Sequence, residues 1–561
     1  MTKTLIFIFL VSSRLFCQSN LINWQRCLGG SDVEPSFSSI ANYIQSTQDG
    51  GIIHLTATNS NDGDVTNNSG GSDIWVNKLN SNGILEWQKN IGGQALDLPY
   101  SISENDDGSF IVLGHSFSSE LIGFHGQVDI LLTKLTSNGQ ISWQKCIGGT
   151  YSEIILEANH SIGIPKSHLI NNNNNGYIIA FESRSPDGDI GVNYGNYDIV
   201  VMIIDNFGNI LNKKIIGGSL SESVKSISRL NNNQGYLILG ETTSNDGVFN
   251  QNLGDQDIFV VRIDNNLNID WLKCLGTNSM DSSGSFFEDS NGNIIVSGVV
   301  DQIGLGTIGD ILVCKLDTSG NIIFSNLYGG SNEEGNMVDI SIPFKLEIYP
   351  MGDCYLLTTA SSSNDGDVSL NFGGSDFWIV KINSNGDILW EKTFGGDYTE
   401  HNMSNVIIHS NLEISFGIDL GNNSGNLFHP NFHYYPFDVN NGFDIGILKL
   451  DSLGNLLSFN CFGGDELEWI NNLIYNSSLN QYTFCGITQS SNGDVVGFHG
   501  YIDSWIVELN QSLGVNELFS DQKRTPKNIY DLLGREMDIQ SNTLLFYQYN
   551  DGTVEKKVII E

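Results

Sequence analysis

Short runs of alternating apolar and polar residues follow one another along the chain, and Asn, Gly, Ser and Asp separate them. In one unit, apolar runs over residues 37–44 and 52–57 precede a third run that begins at Asp73, turns at Asn82-Gly83 and returns as a fourth. Period-two alternation, β-branched residues and Asn-Gly turns are typical of antiparallel strands. No segment has the 3.6-residue period of an amphipathic helix. The pattern therefore predicts an all-β protein.

This four-run unit repeats along the chain. Its most similar copies carry Ser-Asp-x-Trp at Asp73 and Asp376, continue through an Asn-Gly turn and a Trp-x-Lys run, and end at Gly-Gly. The anchor aspartates of the eight units are Asp73, Asp129, Asp198, Asp257, Asp310, Asp376, Asp444 and Asp503. The period is about 61 residues, and repeats of that length with four strands each predict an eight-bladed β-propeller.

The two ends of the array predict how the ring closes. Asp503 opens the third strand of the last unit, but no Trp-x-Lys strand follows it. That strand stands instead at the start of the array, over residues 23–30. We expect it to complete the last blade, because closure removes the free sheet edges of an open array. A seven-bladed ring and a split array are the alternatives.

Composition narrows the classes of function. In 561 residues, 26 Lys+Arg stand against 64 Asp+Glu, a formal net charge of −38. Nucleic-acid binding and binding to anionic membrane surfaces are disfavoured, because both need clustered cations. Hydrophobic residues make up 40 % of the chain, which indicates a folded protein and not an acidic disordered tail. The cysteines after Cys17 are scattered and form no Cys-x-x-Cys motif, which predicts buried free thiols.

The amino terminus is typical of a secretory signal peptide. Lys3 precedes an apolar run over residues 5–11, which is too short to span a bilayer, and we expect no transmembrane segment. Cleavage near Cys17 is favoured over lipidation of Cys17, because Phe16 is bulky where a lipobox has a small residue. The predicted organisation is a signal peptide (1–17), the propeller (18–515), a linker (516–526) and a C-terminal module (527–561).

One column of the repeat is acidic in all eight units and lies four residues after the second Gly-Gly position. Its members are Glu34, Asp97, Glu153, Glu222, Asp281, Glu334, Glu400 and Glu468. We interpret them as structural acids that accept backbone N–H groups and tie each blade to its neighbour. A cation-binding ring is the alternative. A second column, five residues after each anchor, is basic except at Ile203 and Glu508, and we expect it to pair with acids.

Asp-Gly-Asp loops precede several third strands. Their candidate metal ligands are Asp62, Asp64, Asp187, Asp189, Asp365 and Asp367. Clustered oxygens around a glycine turn are able to hold Ca²⁺, although a full calcium loop needs six or more oxygens. Asx-turns are the favoured interpretation. Ca²⁺ is the one cofactor that the sequence suggests.

The seventh unit carries an aromatic insertion between Gly421 and Gly442. Its candidate binding residues are Phe428, His429, Phe432, His433, Tyr434 and Tyr435. Exposed aromatic side chains serve sugar-binding and protein-binding loops. A loop that packs back onto its own blade is the alternative.

The chain contains no nucleophile elbow, HExxH, P-loop or GxGxxG motif, so no catalytic residue is assigned. The hairpin over residues 78–87 resembles the tryptophan-docking repeat of quinoprotein dehydrogenases, and Asn-x-Gly-x-x-x-Trp hairpins resemble the Asp-box of sialidases. The first family brings adjacent cysteines, which are absent here. The second uses three clustered arginines, and between the signal and the tail this chain has only Arg26, Arg184, Arg229 and Arg262.

The C-terminal module reads Asp-Leu-Leu-Gly-Arg-Glu from Asp531 and Asn-Asp-Gly-Thr-Val-Glu-Lys-Lys from Asn550. It resembles the type A C-terminal sorting domain of type IX secretion in Bacteroidetes. The Gly-Gly-Ser-Asp-x-Trp units also resemble repeats of secreted Bacteroidetes proteins. The matching residues are Asp531, Gly534, Arg535, Asp551, Gly552 and Lys556. The resemblance implies export by the type IX translocon, removal of the tail by a surface sortase, and attachment to the outer-membrane surface or release. Independently, Asn-Asp-Gly between apolar runs predicts a terminal hairpin.

Together these observations predict a secreted or surface-displayed, non-catalytic propeller that binds an extracellular glycan or protein. A propeller enzyme, either a glycan hydrolase or a quinoprotein-like dehydrogenase, is the alternative.

Overall fold

The computed structural model describes most of the chain between Leu21 and Asn510 and three strands beyond it. The described residues are 21–34, 42–155, 168–172, 176–301, 309–335, 346–397, 399–400, 403–421, 424–427, 429, 432, 443–510, 528–530, 535, 544–548 and 554–558. The chain divides into two compact units, Met1–Leu513 and Gly514–Glu561.

All the regular structure in these ranges is β. The strands are β1 (Ile22–Leu28), β2 (Tyr43–Ser46), β3 (Ile52–Thr58), β4 (Asp73–Leu79), β5 (Leu85–Ile91), β6 (Asp97–Glu104), β7 (Phe110–Ser116), β8 (Asp129–Leu135), β9 (Ile141–Ile147), β10 (Glu153–Ile154), β11 (Leu169–Asn171), β12 (Tyr177–Ser183), β13 (Asp198–Ile204), β14 (Ile210–Ile216), β15 (Glu222–Arg229), β16 (Tyr236–Thr242), β17 (Asp257–Ile263), β18 (Ile269–Leu275), β19 (Asp281–Glu288), β20 (Ile294–Asp301), β21 (Gly309–Leu316), β22 (Ile322–Tyr328), β23 (Glu347–Met351), β24 (Cys354–Ser361), β25 (Asp376–Asn383), β26 (Ile388–Phe394), β27 (Ile407–Ile408), β28 (Ile414–Leu420), β29 (Asp444–Leu450), β30 (Leu456–Phe462), β31 (Glu468–Asn476), β32 (Gln481–Thr488), β33 (Asp503–Leu509), β34 (Asn528–Tyr530), β35 (Leu544–Gln548) and β36 (Val554–Val558).

The first unit is an eight-bladed β-propeller of antiparallel blades, as the repeat predicts. Blades 1 to 7 are β2–β5, β6–β9, β10–β14, β15–β18, β19–β22, β23–β26 and β27–β30, and blade 8 is β31–β33 with β1 as its outermost strand. In blade 3 the innermost strand is split into β10 and β11, which both pair with β12. Each blade runs from its innermost to its outermost strand in chain order, except where blade 8 ends on β1.

The closure predicted from the two ends of the array is confirmed. Strand β1 pairs antiparallel with β33, with Trp24 opposite Glu508 and Leu28 opposite Ser504. The buried Cys27 and Leu28 of β1 pack into the core of the last blade and its neighbour. The first strand of the array therefore completes the last blade.

Backbone hydrogen bonds link each blade to the next at the acid column. In every unit, the acid donates its backbone N–H to the carbonyl of the residue before the preceding blade's anchor aspartate. Examples are Asp97 N–H to Ser72 O at 2.7 Å and Glu468 N–H to Phe443 O at 2.8 Å. A main-chain contact of one geometry therefore repeats around the ring.

The hydrophobic core lies between successive blades. On the third strand, two residues after the anchor aspartate, stand Trp75, Trp378 and Trp505, and all three are fully buried. In blade 1, Trp75 donates from Nε1 to Gln88 Oε1 at 2.8 Å, which satisfies the one polar atom of its ring. The apolar residues that alternate along the strands thus fill the blade interfaces.

Tryptophans on the outermost strands pack over glycine turns of the next blade. Trp87 donates from Nε1 to Ser137 O at 3.0 Å, and its ring lies over Gly139, whose φ is +77°. A Cβ atom at Gly139 would come within 2.4 Å of the indole. Glycine is therefore needed both for the left-handed turn and for the close approach of the ring. The same pairing joins Trp24 to Gly83, Trp143 to Gly208, Trp271 to Gly320, Trp390 to Gly454 and, with a phenylalanine, Phe324 to Gly386.

The second unit contains a three-stranded antiparallel sheet in the order β34–β35–β36. Strands β35 and β36 pair with Leu544 opposite Val558 and Gln548 opposite Val554. The terminal hairpin predicted from the Asn-Asp-Gly turn is thus confirmed.

Candidate functional site

The acid column lies buried between blades, where each acid faces the anchor aspartate of the preceding blade. Asp97 Oδ2 accepts the N–H of Gly93 at 2.7 Å and the hydroxyl of Ser118 at 2.8 Å. The neighbouring Asp73 accepts the N–H of Ser69 at Oδ2, and both its Oδ1 and Asp97 Oδ2 face the Cα of Gly92. Burial, with the charge of Asp97 adding to it, raises the pKa of Asp73 to about 7.

Equivalent carboxylate pairs occur at every blade interface. All eight acids are at most 2 % exposed, and each accepts N–H or hydroxyl hydrogen bonds from its own or the preceding blade, as Glu34 does from Gly30 and Thr58. Burial is the main cause that raises the pKa of Asp198, Asp257, Asp281, Asp376 and Asp503 to about 6 and of Glu468 to about 8. These carboxylates thus lie at the contacts between neighbouring blades, where the sequence pattern predicts structural acids.

The Asp-Gly-Asp loops dock onto the Gly-Gly segment of the preceding blade. Asp62 Oδ1 accepts the N–H of Ser31 at 2.7 Å, and the N–H of Asp64 donates to Gly29 O at 2.8 Å. In the other two loops Asp187 accepts from Thr150, Asp189 from Gly148, Asp365 from Ser331 and Asp367 from Gly329. In the loops of Asp187 and Asp365 the two carboxylates therefore accept different backbone N–H groups, whereas the Asp64 carboxylate lies 3.6 Å from Arg26 Nη2. Within the described ranges, no three His, Cys, Asp or Glu side chains come together in a way that could hold a metal ion.

Two histidines of the repeated Gly-Phe-His-Gly sequence bridge carboxylates of successive blades. His499 Nδ1 lies 2.9 Å from Asp503 Oδ2, and its Nε2 lies 3.7 Å from Asp64 Oδ2. His125 has the same relation to Asp129 and Asp189, at 3.0 and 3.9 Å. These histidines act as cross-blade contacts.

The cysteines of the described part of the chain are free, and all but Cys354 are buried. Burial raises the pKa of the Cys146, Cys274 and Cys314 thiols to about 12. These thiols remain protonated at neutral pH and behave as small apolar side chains.

Two of the six candidate binding residues of the aromatic insertion are described, and both pack inward. His429 is 2 % exposed, its ring lies 5.2 Å from that of Phe459, and burial lowers its pKa to about 4. Phe432 packs against the core shared by blades 6 and 7. These contacts favour a loop that covers its own blade. The candidates Phe428, His433, Tyr434 and Tyr435 lie outside the described residues.

Of the sorting-signal residues, Arg535 is exposed and Lys556 lies in β36. Asp531, Gly534, Asp551 and Gly552 lie outside the described residues. In the described part of the chain, no helix has the length and hydropathy to cross a lipid bilayer.

The repeat is broken at the interface of blades 3 and 4. The outermost strand of blade 3 carries Asn212 where five other units have tryptophan, and the facing turn of blade 4 carries Leu267 in place of glycine. Asn212 Nδ2 still donates to the turn, to Asn266 O at 2.9 Å. Leu267 keeps the left-handed conformation, with φ of +65°, and is buried. A leucine side chain therefore replaces part of the missing indole.

The charge pattern changes at the same interface. In blades 1, 5 and 7 the basic column pairs with an acid of the first turn, as Lys78 does with Asp49 at 2.9 Å. Blade 3 has Ile203 at this position, and its first turn is a run of asparagines. At the end of the innermost strand, Glu288 of blade 5 accepts an N–H from the preceding blade, whereas blade 4 has Arg229 there.

An open groove of about 720 Å³ lies next to these replacements, on the turn side of blades 3 and 4. Its lining residues are Asn172, Ile203, Asp205, Asn206, Phe207, Leu211, Arg229, Asn233, Tyr236 and Asn265. The guanidinium of Arg229 lies 5.3 Å from the centre of the Tyr236 ring, donates to the Tyr236 hydroxyl at 3.0 Å and contacts Asn172. The volume lies in the range of small-ligand sites, and the lining is more polar than that of most such sites.

The sequence pattern identified Ile203 as an exception but did not reveal the groove. Of the residues that form it, only Ile203 and Arg229 stood out in the sequence, and for unrelated reasons. The additional signal was the missing tryptophan at Asn212, paired with the missing glycine at Leu267. Both departures are readable once the repeat units are aligned.

No protein-family model matches the chain, and no curated protein does so either. Solved structures with a similar fold include a eukaryotic initiation factor, with 9 % identity and a TM-score of 0.38 over 75 % of this chain and 77 % of that one. An acylaminoacyl peptidase of Pyrococcus horikoshii has 11 % identity and a TM-score of 0.34, over 81 % of this chain and 57 % of that one. A protein of unknown function from Dyadobacter fermentans DSM 18053 has 12 % identity and a TM-score of 0.30, over 64 % of this chain and 98 % of that one. At these TM-scores the likenesses assign neither a family nor an activity.

Proposed function

We propose that this protein is an exported, non-catalytic β-propeller that binds a glycan in the groove between blades 3 and 4. The observation that supports this proposal is the position of the groove. At this interface Asn212, Ile203 and Arg229 depart from the repeat together, and the groove lies beside them. A feature confined to one interface is freer to serve recognition than a feature that every blade repeats.

A glycan suits the groove better than a protein partner. Four asparagine amides line it, and Phe207, whose ring is exposed, stands at its rim. Amides donate and accept hydrogen bonds, as sugar hydroxyls require, and aromatic rings offer flat apolar faces. A concave site of this size also encloses a small ligand more readily than the broad surface of a protein, which typically needs about 800 Å² per partner.

A binding role without catalysis is proposed because the carboxylates that could serve as acid or base are engaged elsewhere. Those of the acid column and of the Asp-Gly-Asp loops accept backbone or hydroxyl hydrogen bonds at blade interfaces. Glycoside hydrolysis needs a pair of carboxyl groups that flank one bond of the sugar. The groove lining supplies one carboxylate, that of Asp205.

A glycan array tests the binding proposal. The purified propeller is applied to an array of neutral and acidic oligosaccharides, beside Arg229→Ala and a matched control, Leu453→Ala. Leu453 occupies in blade 7 the turn position of Phe207 and is 64 % exposed, so its truncation leaves the groove intact. We expect signals that Arg229→Ala weakens and Leu453→Ala preserves. An array without signal for any glycan would refute the proposed function.

Export by the type IX route is proposed from the motif of residues 527–561. Its test is truncation of the tail in the native host. We expect the truncated protein to accumulate in the periplasm, while the full chain reaches the surface or the medium. Normal surface display without the tail would contradict this assignment.

A further inference from the structure

The electrostatics of the groove between blades 3 and 4 restrict the class of glycan. Asp205 belongs to the lining, and hydrogen bonds from Asn209 lower its pKa below the usual range, so it is ionised at neutral pH. Asp264, in the neighbouring turn, is in the same state for the same reason, with Asn268 as the donor. Arg229 is the one cation of the lining. The positive charge of Arg229 is therefore offset by the negative charges of Asp205 and Asp264.

The whole protein adds to this effect. Its formal net charge of −38 repels a polyanion at a distance, and that repulsion is strongest at low salt. An acidic polysaccharide would need several clustered cations to offset it. The groove offers a single guanidinium, already in contact with Asn172 and the Tyr236 hydroxyl.

Arg229 is held so that its planar donors face a ligand from a fixed position. The Tyr236 ring lies beneath the guanidinium, and Tyr236 itself is buried. Asn265 Nδ2 donates to Asn233 O at 3.0 Å, which joins the turns of blade 4 at one side of the groove. At the opposite rim, Phe207 and Leu211 of blade 3 are 76 % and 61 % exposed. Rigid polar groups therefore face an exposed apolar rim, and binding would cost little ordering of the protein.

We propose that this groove binds a neutral oligosaccharide, with Phe207 stacking on a sugar face and Arg229 donating to hydroxyl oxygens. The inference rests on the proposed glycan-binding function and specifies its ligand class. An oligosaccharide fits better than a single sugar because the groove is open and runs from the turn of β13–β14 to the turns of blade 4. Uncharged hydroxyl groups avoid the repulsion that an acidic chain would meet.

Calorimetric titration tests the ligand class. The full propeller is titrated with maltohexaose, cellohexaose, xylohexaose and mannohexaose, and separately with hexagalacturonate, at low and at physiological salt. We expect one or more of the neutral hexamers to bind, with an affinity that does not change with salt, and the acidic hexamer not to bind. Exclusive binding of the acidic hexamer would overturn the inference while leaving the proposed glycan-binding function intact.

Groove variants test the location. Phe207→Ala and Arg229→Ala should each weaken binding of the neutral hexamer about 10-fold or more, as for a central anchor of an interface. Leu453→Ala should leave it unchanged. The pair Asn212→Trp and Leu267→Gly restores the arrangement of the other interfaces and should abolish binding, since the indole would lie beside Ile203. Neutral-hexamer binding that all these variants retain would place the ligand elsewhere and refute the inference.

Discussion

The buried carboxylate pairs predict that the propeller is less stable at alkaline pH, and one substitution isolates the effect. Asp73 is fully buried on the third strand of blade 1, where it faces Asp97 of blade 2. Replacing Asp73 by Asn removes one charge of the pair and keeps the side-chain shape. The amide oxygen can still accept the N–H of Ser69, and the amide nitrogen becomes a donor toward Asp97.

The pKa of Asp73 gives the size and the sign of the expected change in the free energy of unfolding. Burial first, and then the charge of Asp97, raises this pKa from 3.8 to about 7 in the folded protein. Folded Asp73 therefore keeps a proton that the unfolded chain releases, and the contribution of Asp73 to the free energy of unfolding falls as pH rises from about 4 to about 7. Three pKa units correspond to about 4 kcal/mol. Asp73→Asn should match the wild type near pH 4 and exceed it by up to that amount at pH 8.

Urea unfolding at pH 4, 6 and 8 measures this difference. The matched control is Asp317→Asn, a turn aspartate whose pKa is lowered by hydrogen bonds from Asn321. That carboxylate stabilises its turn when it is ionised, so the control should lose stability relative to the wild type as pH rises. A difference between Asp73→Asn and the wild type that does not change with pH would refute the reasoning, because it would show that Asp73 is ionised throughout.

Three further predictions concern the ring and its tail. Deletion of β1 removes the outermost strand of blade 8 and should destabilise the propeller by several kcal/mol, a large share of typical domain stability. Calorimetry would detect this loss, and an unchanged melting temperature would argue against closure by β1. Asn212→Trp alone should destabilise the propeller, because the indole would collide with Leu267, and the additional change Leu267→Gly should restore its stability. Additive effects of the two substitutions in a double-mutant cycle would contradict this explanation. Removal of residues 527–561 should leave the melting temperature of the propeller unchanged in calorimetry, because β1 and not the tail completes the ring, and a clear decrease would contradict this.

Much of the fold was predictable because its determinants are local and repeated. Alternation with period two specified strands, Asn-Gly turns specified hairpins, and the recurrence of Asp73 as an anchor specified the blade count. Closure followed from the same pattern, since a strand absent after Asp503 was present at residues 23–30. These features depend on neighbours in the chain, so one sequence was enough to identify them.

The partners of the repeated acids required the tertiary structure. The sequence predicted that Glu34 and its equivalents tie blades together, but not that each one faces an anchor aspartate of the preceding blade. That contact joins residues on different strands of different blades, and two like charges are not a pair that sequence reasoning favours. Burial makes the arrangement tolerable, because it raises the pKa of Asp73 and allows a proton to remain.

The sequence by itself thus determined the repeat, the strand order and the closure of the ring, because these follow from spacing along the chain. The tertiary structure alone decided where the ring departs from its symmetry. Ile203 and Arg229 belong to two successive units, and only the packing of blade 3 on blade 4 brings them to one groove. The volume of a groove depends on which side chains meet across an interface, and the spacing of residues along one chain does not contain that information.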